Sequence, residues 1–375
     1  MPDARGESLR TVIVHDWLTG MRGGERVLES FCRLLPNADI LTLVHRKGSV
    51  SALIEAHRVR QSAVARLPAA ARLYRQYLPT FPAAIEWFDL DEVDLVVSTS
   101  HCAAKAVVKP GRAVHLCYCH SPMRYAWDQF DEYFGRERLG RGGAVLARWI
   151  LAGMARWDRA TAPRVDHYLA NSRHVAGRIA RYYNQAASVL YPPVNTEFFT
   201  AGEAPAAGYL LVVSALVPYK RIDRAIKAAR AVSRPLMIVG SGPDEARLRT
   251  LAGPDVQFAG TLDSADLRAA YRGAIALVLP GEEDFGIAPV EAMACGRPVV
   301  ALGRGGATET VVPGVTGILV DDESVESLAA GMREADRRVF DADTIRAHAE
   351  QFDTRRFETG LAVVLDDIRR NGQPC

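Results

Sequence analysis

EEDFGIAPVEAMACGRPVV, residues 282–300, decides the fold. One apolar run, Ala276-Leu277-Val278-Leu279, enters it through Pro280, and a second, Val299–Leu302, leaves it. Between them Val290, Met293 and Ala294 have helical spacing, and Pro289 suits a first helical turn, where its missing N–H costs nothing. Strand, turn, helix and strand in that order make a βαβ unit with parallel strands. Two carboxylates, Glu283 and Glu291, stand eight positions apart across the turn. Glu283 falls on the loop at the strand's C-terminal edge and Glu291 in the first turns of the helix. Open α/β sheets bind ligands at that edge, and a helix N-terminus favours an anion such as phosphate. The acids can accept from ligand hydroxyls while backbone N–H groups hold the anion. A surface turn whose acids merely suit the helix dipole is the plain alternative.

The same alternation runs along the whole chain. In the first half the strand candidates are Thr11–His15, Ile40–Val44, Leu95–Ser98, Val114–Cys119 and Tyr168–Ala170. In the second half they are Leu210–Ser214, Leu236–Val239, Val256–Phe258, Ala276–Leu279, Val299–Leu302 and Ile318–Val320. Continuous apolar runs indicate strands buried on both faces of parallel sheets. Helical stripes lie between them: Val27, Leu28, Phe31, Leu34 and Leu35, then Ile222, Ala225, Ile226 and Ala229. Such alternation predicts doubly wound α/β units. The pattern breaks at Tyr191-Pro192-Pro193 and restarts after an Ala/Gly/Pro-rich stretch at 201–208. Residues 1–193 are therefore expected to form one Rossmann-like domain and 194–351 a second. Residues 352–375 read as a last helix, capped by Asp353 or Thr354, that crosses back to the first domain. Two such domains facing one another leave an interdomain cleft suited to a bipartite ligand.

Bulk properties narrow the function. At 375 residues the chain suits two domains, and 24% charged residues with a net charge of +2 argue against a nucleic-acid partner. Six scattered cysteines form no CxxC, so neither a metal nor a disulfide framework is expected and a reduced cytosol fits better. The N-terminal MPDARGESLRTVIVHDW lacks the apolar core of a signal peptide. The longest apolar stretch, Ala144 to Ala155, is interrupted by Arg148 and too short to span a bilayer. Arginines and aromatics recur in residues 57–78 and again from Arg136 to Arg164. A basic amphipathic surface of this kind can dock on anionic lipid; a solvated helix face is the other reading.

Taken together, HDWLTGMRGGERVLE, CYCHSPMRYAWD, ANSRHVAGRI, SALVPYKRIDRAI, GSGPDEARL and EDFGIAPVEAMACGRPVV resemble the family-4 retaining glycosyltransferases of the GT-B fold. The resemblance covers nearly the whole chain, and the first half looks most like bacterial mannosyltransferases that build surface polysaccharides. It implies a nucleotide-sugar donor, GDP-mannose before UDP-glucose, and a glycan or lipid-linked glycan acceptor. Lipid-linked acceptors lean the basic surfaces toward peripheral contact with the inner face of a membrane.

The resemblance also implies roles for particular residues. Gly23 and Gly24, after the first strand, lie near the donor diphosphate. Asp16 just upstream faces the acceptor. His120, at the end of a buried strand, matches the histidine that contacts the transferred sugar. Arg124, Tyr125 and Asp128 follow on a helix that Ser121 caps; Arg124 and Asp128, four apart, either bind acceptor or pair with each other. Lys220 and Arg221 neutralise the departing phosphate. The family commonly carries an arginine five residues before the lysine, where this chain has Ala215, so Arg221 is a candidate for the absent charge. Gly240, in an incomplete GxGxxG, is expected to line the nucleotide pocket. Glu283 with Phe285, Gly286 and Ile287 holds sugar and phosphate, and Glu291 accepts from ribose. Asp89-Leu90-Asp91 precedes a strand and Asp341-Ala342-Asp343 sits by a helix start, so neither is assigned a metal, and no cofactor is expected. A sugar-nucleotide epimerase or phosphorylase, a non-catalytic sugar-nucleotide-binding protein and an NAD-dependent oxidoreductase are the rivals. The last needs a full glycine fingerprint with an acid about 20 residues on.

Overall fold

The computed structural model describes residues 9–130, 136–202 and 208–371. The chain divides into two compact units, residues 1–193 with 357–375 and residues 194–356.

The first unit holds a parallel sheet of seven strands, β1 (Thr11–His15), β2 (Asp39–Thr42), β3 (Val59–Gln61), β4 (Leu95–Ser100), β5 (Val114–Cys119), β6 (His167–Ala170) and β7 (Ser188–Val189). Their order is β3-β2-β1-β4-β5-β6-β7. The second unit holds six parallel strands, β8 (Tyr209–Val213), β9 (Leu236–Val239), β10 (Val256–Gly260), β11 (Ala274–Leu279), β12 (Val299–Leu302) and β13 (Gly317–Val320), in the order β10-β9-β8-β11-β12-β13. Both orders reverse direction beside the unit's first strand: between β1 and β4, and between β8 and β11. These are the switch points where such sheets open a ligand crevice at their C-terminal edges. The two parallel sheets with flanking helices are the predicted fold class.

Every strand candidate in the sequence is a strand. The two that the sequence did not reveal, β3 and β7, carry mostly exposed residues and no apolar run. The inner strands are nearly dry: all six residues of β4 and all four of β12 are buried. In the first unit the helix Gly23–Leu34 buries Val27, Leu28 and Phe31. The helix Thr354–Asn371 adds Phe357, Leu361, Leu365 and Ile368 to the same core. Each of these side chains contributes about 1.5–3 kcal/mol by leaving water. Phe357 also meets Phe31 and Tyr118 edge-on, at 6.4 and 5.7 Å between ring centres.

One polar network braces the first unit from within. Lys105 and Asp158 are fully buried and pair at 2.9 Å. Lys105 Nζ also donates to the Thr161 hydroxyl, while Tyr183 and Trp127 donate to the Asp158 carboxylate. A buried pair is tolerated only with its remaining hydrogen bonds made, and here they are. Asp158 thereby pins the helix Arg136–Ala160, which is broken at Gly140 (φ 68°), to the end of β4.

Candidate functional site

In the first unit, three neighbouring strands end on histidine at one edge: His15 closes β1, His101 follows β4 and His120 follows β5. His15 is 1% exposed, with Nδ1 2.6 Å from the Thr99 hydroxyl. His120 is half-buried, and its ring meets those of His101 and Tyr118 edge-on. The Nε2 atoms of His15 and His120 are buried with no hydrogen-bond partner. Both rings border Gly24, where a Cβ would sit 3.6 Å from His120 Nε2 and 3.7 Å from His15 Cε1, while His15 Nε2 lies 3.9 Å from Glu25 Oε1. Gly23 and Gly24 open the helix Gly23–Leu34, whose first turn is closed by a capping box: Glu25 Oε2 accepts the Arg22 N–H at 3.0 Å. One imidazole nitrogen without a hydrogen-bond partner, His120 Nε2, therefore looks onto a helix start kept clear by a glycine.

Burial pushes His120 well below the ordinary imidazole range, and the nearby His101 and His15 add to the shift. His101 is lowered too, because burial outweighs the opposing charge of Asp16. Glu25 is buried, which works against its ionisation, yet His15 beside it holds the carboxyl below its usual range.

The expectation that Asp16 faces an acceptor is corrected. Asp16 is 0% exposed, and its two oxygens accept the backbone N–H groups of His101, Cys102, Ala103 and Ala104 at 2.6–2.9 Å. His101 Nδ1 lies 3.1 Å from the same carboxylate. A carboxylate holding four amides has no capacity to spare for a ligand. Asp16 instead fixes the loop after β4 and orients His101.

The three other residues expected at an acceptor site sit on or beside the short helix Arg124–Trp127, whose cap is Met123 rather than Ser121. Asp128 takes Arg178 and the Tyr182 hydroxyl as partners, and the Tyr182 ring stacks on Trp127 at 4.7 Å. The Tyr125 hydroxyl lies 2.9 Å from Cys102 Sγ, turned into the core rather than outward.

In the second unit the functional edge is charged. The loop after β8 carries Lys220 and the loop after β11 carries Glu283, so the two flank the switch point. They form an ion pair with each side chain only about one-eighth exposed, 12% and 14%. The backbone of Glu283 is locked by the Gly306 N–H, which it accepts at 2.8 Å. Beyond it Gly286, at φ 87°, opens the helix Ile287–Ala294. Glu291 is 4% exposed and receives the Tyr271 hydroxyl at 2.8 Å. It is the inner acid of the pair, oriented by a fully buried tyrosine.

The structure details three further second-unit residues. Phe285 is 2% exposed and packs on Phe352, so its side chain belongs to the core, leaving only its backbone to a ligand. Gly240 (φ 131°) answers a packing need: a Cβ there would lie 1.9 Å from the Ser214 carbonyl oxygen. Arg221, in a left-handed conformation (φ 54°), donates Nε to Glu323 at 3.1 Å, and Arg224 shares that acid. Arg221 is thus paired, as Lys220 is, and both ion pairs lie at the same edge as Ala215. Asp341 caps the helix Ala342–Ala349 through the Thr344 N–H, and the Asp89 carboxylate accepts the Asp91 N–H at the opposite edge of the first sheet. Among the described residues no three His, Cys, Asp or Glu side chains are grouped to hold a metal ion.

Residues 21–198 match the family described as Glycosyltransferase Family 4, and residues 194–337 match Glycosyl transferases group 1. The GDP-mannose-dependent alpha-mannosyltransferase of Mycolicibacterium smegmatis is 33% identical over 259 residues, 66% of this chain and 65% of that protein. A GDP-mannose-dependent alpha-(1-6)-phosphatidylinositol monomannoside mannosyltransferase of Mycobacterium tuberculosis is 32% identical over 53% of this chain and 62% of its own. The chain thus spans just under two thirds of the length of these relatives. Among solved structures, HepE of Anabaena in complex with UDP and glucose aligns with a TM-score of 0.69 at 20% identity, covering 96% of this chain and 100% of that one. At that identity the likeness shows the fold.

Proposed function

The chain belongs to glycosyltransferase family 4, and on that premise we propose that it moves a hexose from a nucleotide sugar to a hydroxyl of a glycan or lipid-linked glycan, with retention at the anomeric carbon. Mannose from GDP-mannose is the first assignment, supported by the donors named for the mycobacterial relatives. The observation that carries the reading is the Lys220–Glu283 pair astride the second unit's switch point.

A nucleoside diphosphate leaves with negative charge on its β-phosphate, and a cation fixed in a low-dielectric pocket stabilises that charge as it develops. Lys220 does this, exchanging Glu283 for phosphate when donor binds. Glu283 then accepts from sugar hydroxyls, and the Gly286 and Ile287 N–H groups meet the diphosphate at the helix start. Glu291, set by Tyr271, accepts from the ribose. In the first unit, His120 Nε2, without a hydrogen-bond partner, is assigned to a carbohydrate hydroxyl, with the imidazole neutral. In this reading the acceptor hydroxyl attacks from the face the diphosphate leaves. Its proton passes to the departing phosphate oxygen.

Thermal melts of the full chain with GDP-mannose and with UDP-glucose test this. The true donor at 100 times its dissociation constant adds about 2.7 kcal/mol of apparent stability. Lys220→Ala removes most of that gain and most of the turnover. A melt unmoved by both sugar nucleotides but raised by NAD would overturn the reading.

A further inference from the structure

Asp16 braces a loop, but two of its contacts belong to one residue. Its Oδ2 accepts the backbone N–H of His101 at 2.7 Å and lies 3.1 Å from Nδ1 of the same imidazole. The Trp17 ring meets that imidazole edge-on at 4.4 Å between centres, and itself packs against Tyr74 and Phe81. Main chain, ring tilt and tautomer of His101 are therefore all set. An ionised carboxylate only accepts, so the proton sits on Nδ1 and Nε2 keeps its lone pair. Nε2 lies across the ring from Asp16, and among the described residues it has no hydrogen-bond partner. The side chain is 34% exposed. His15 is different: it is shut from solvent, and its two nitrogens face Thr99 and Glu25.

A lone pair at the ligand edge receives a donor. A hydroxyl is one and an ionised phosphate is not. Such a nitrogen either takes the hydroxyl's proton or holds the group in place, and Asp16 decides between the two. Its charge is shared with four backbone amides, which weakens its pull on the imidazole. Burial outweighs that pull and holds His101 below the ordinary imidazole range. The other charged groups around the ring do not reverse this. Glu25 acts with Asp16, while His15 and Arg22 act against it. His120, with its ring centre 6.2 Å away, is pushed toward the uncharged form itself. A general base works best when poised near the working pH. His101 is set below it, so it accepts a hydrogen bond and leaves the proton to the departing phosphate.

We propose, on the sugar-transfer reading, that His101 Nε2 receives a hydroxyl of the acceptor carbohydrate and orients it at the first unit's edge. His101 is then a substrate-contacting residue on which the acceptor, rather than the nucleotide donor, depends.

Two amide variants separate the two nitrogens. Asparagine places its NH2 where Nδ1 stood and keeps the bond to Asp16. Glutamine reaches to where Nε2 stood and keeps an acceptor atom there. The full chain is assayed with GDP-mannose and, as acceptor probes, octyl mannoside, glucoside and galactoside. His101→Asn should keep the parent's melting temperature and the melt shift given by GDP-mannose. It should lose about 10- to 100-fold in kcat/KM for the acceptor, chiefly through KM. His101→Gln should recover part of that loss and end about 3- to 10-fold below the parent. In the parent, kcat/KM for the acceptor should hold above pH 6.5 and fall below it as His101 gains a proton. In His101→Asn that acid limb should move to lower pH, where His120 sets it. Equal acceptor KM in parent and His101→Asn, or a lowered melting temperature as the sole change, overturns the proposal while sugar transfer stands. So does a GDP-mannose melt shift lost along with acceptor use, which would give His101 to the donor. A parent that transfers no sugar from any sugar nucleotide sinks the sugar-transfer reading and this proposal with it.

Discussion

The two sheets share one strand order and one place to put a ligand, yet the residues at those places behave oppositely. At the first unit's edge the polar groups are spent or neutral. Asp16 is consumed by four amides, and His101 and His120 are pushed toward the uncharged form by burial. At the second unit's edge the groups are charged and exchangeable: Lys220 faces Glu283, and Arg221 and Arg224 face Glu323. Topology fixes where a site can be, and side chains fix what it does. A rigid neutral edge suits holding hydroxyls in place; an edge of paired charges suits a ligand whose own charge grows during reaction.

The sharpest break in this comparison is a pair of substitutions with opposite signatures. Asp16→Asn keeps the shape of the side chain but sets an NH2 donor against amide N–H groups inside the first unit. That should cost about 3–5 kcal/mol of stability, read as a lower denaturant midpoint. Lys220→Ala or Glu283→Ala should instead lower turnover about 100- to 1,000-fold. Each leaves a partner only partly shielded from water, so the melting temperature should fall modestly and the double variant should be more stable than the sum of the singles implies. If Asp16→Asn melts normally but is inactive, Asp16 touches substrate and its scaffolding role is wrong.

Acid should separate the units next. Of the nine histidines only His348 lies in the second unit. In the first, burial lowers His115 to about 3, and its Nε2 lies 2.8 Å from the Ser98 hydroxyl. A group whose folded pKa is depressed stabilises the fold above its unfolded pKa and withdraws that help as pH falls. Stability of the first unit should thus decline from about pH 6.5 toward pH 3. Amide exchange at pH 4 should open β4 and β5 before β11 and β12. His115→Gln should flatten the pH slope; uniform opening of both sheets would remove the contrast.

The sequence made the second unit's edge readable and the first unit's only in part. Glu283, Lys220 and Gly286 sit in motifs where strand, turn and helix are adjacent in the chain, so local pattern alone put them at one edge. The histidine cluster is assembled by strand order. VIVH, STSH and CYCH each end a run at histidine, but only the pairing of β1 with β4 and of β4 with β5 brings His15, His101 and His120 together. His120 was legible through its motif; His15, His101 and Glu25 were not. Asp16 was misread because nothing local signals that a loop some 85 residues away turns four amides toward it. Tyr271 escaped for the same reason, since its hydroxyl meets Glu291 across 20 residues. Gly240 shows a limit of local pattern: a glycine needed for a close backbone approach looks, in sequence, like one needed for a ligand.

Gly24 offers the finest test of the first unit's role, because there the same glycine can be tried against both meanings. A methyl group at this position would rest 3.6 Å from His120 Nε2, an ordinary contact that moves nothing. The residue lies in the first turn of a helix, where alanine is favoured over glycine by about 0.5–1 kcal/mol. Gly24→Ala should therefore melt at the parent temperature or slightly above it. Yet the methyl occupies the space onto which His120 Nε2 looks, so a ligand using that space is displaced. We expect the KM for donor to rise several-fold with the stability unharmed. A variant with unchanged kinetics would mean that this edge only braces the fold, and a lower melting temperature would mean that the glycine serves packing, as Gly240 does.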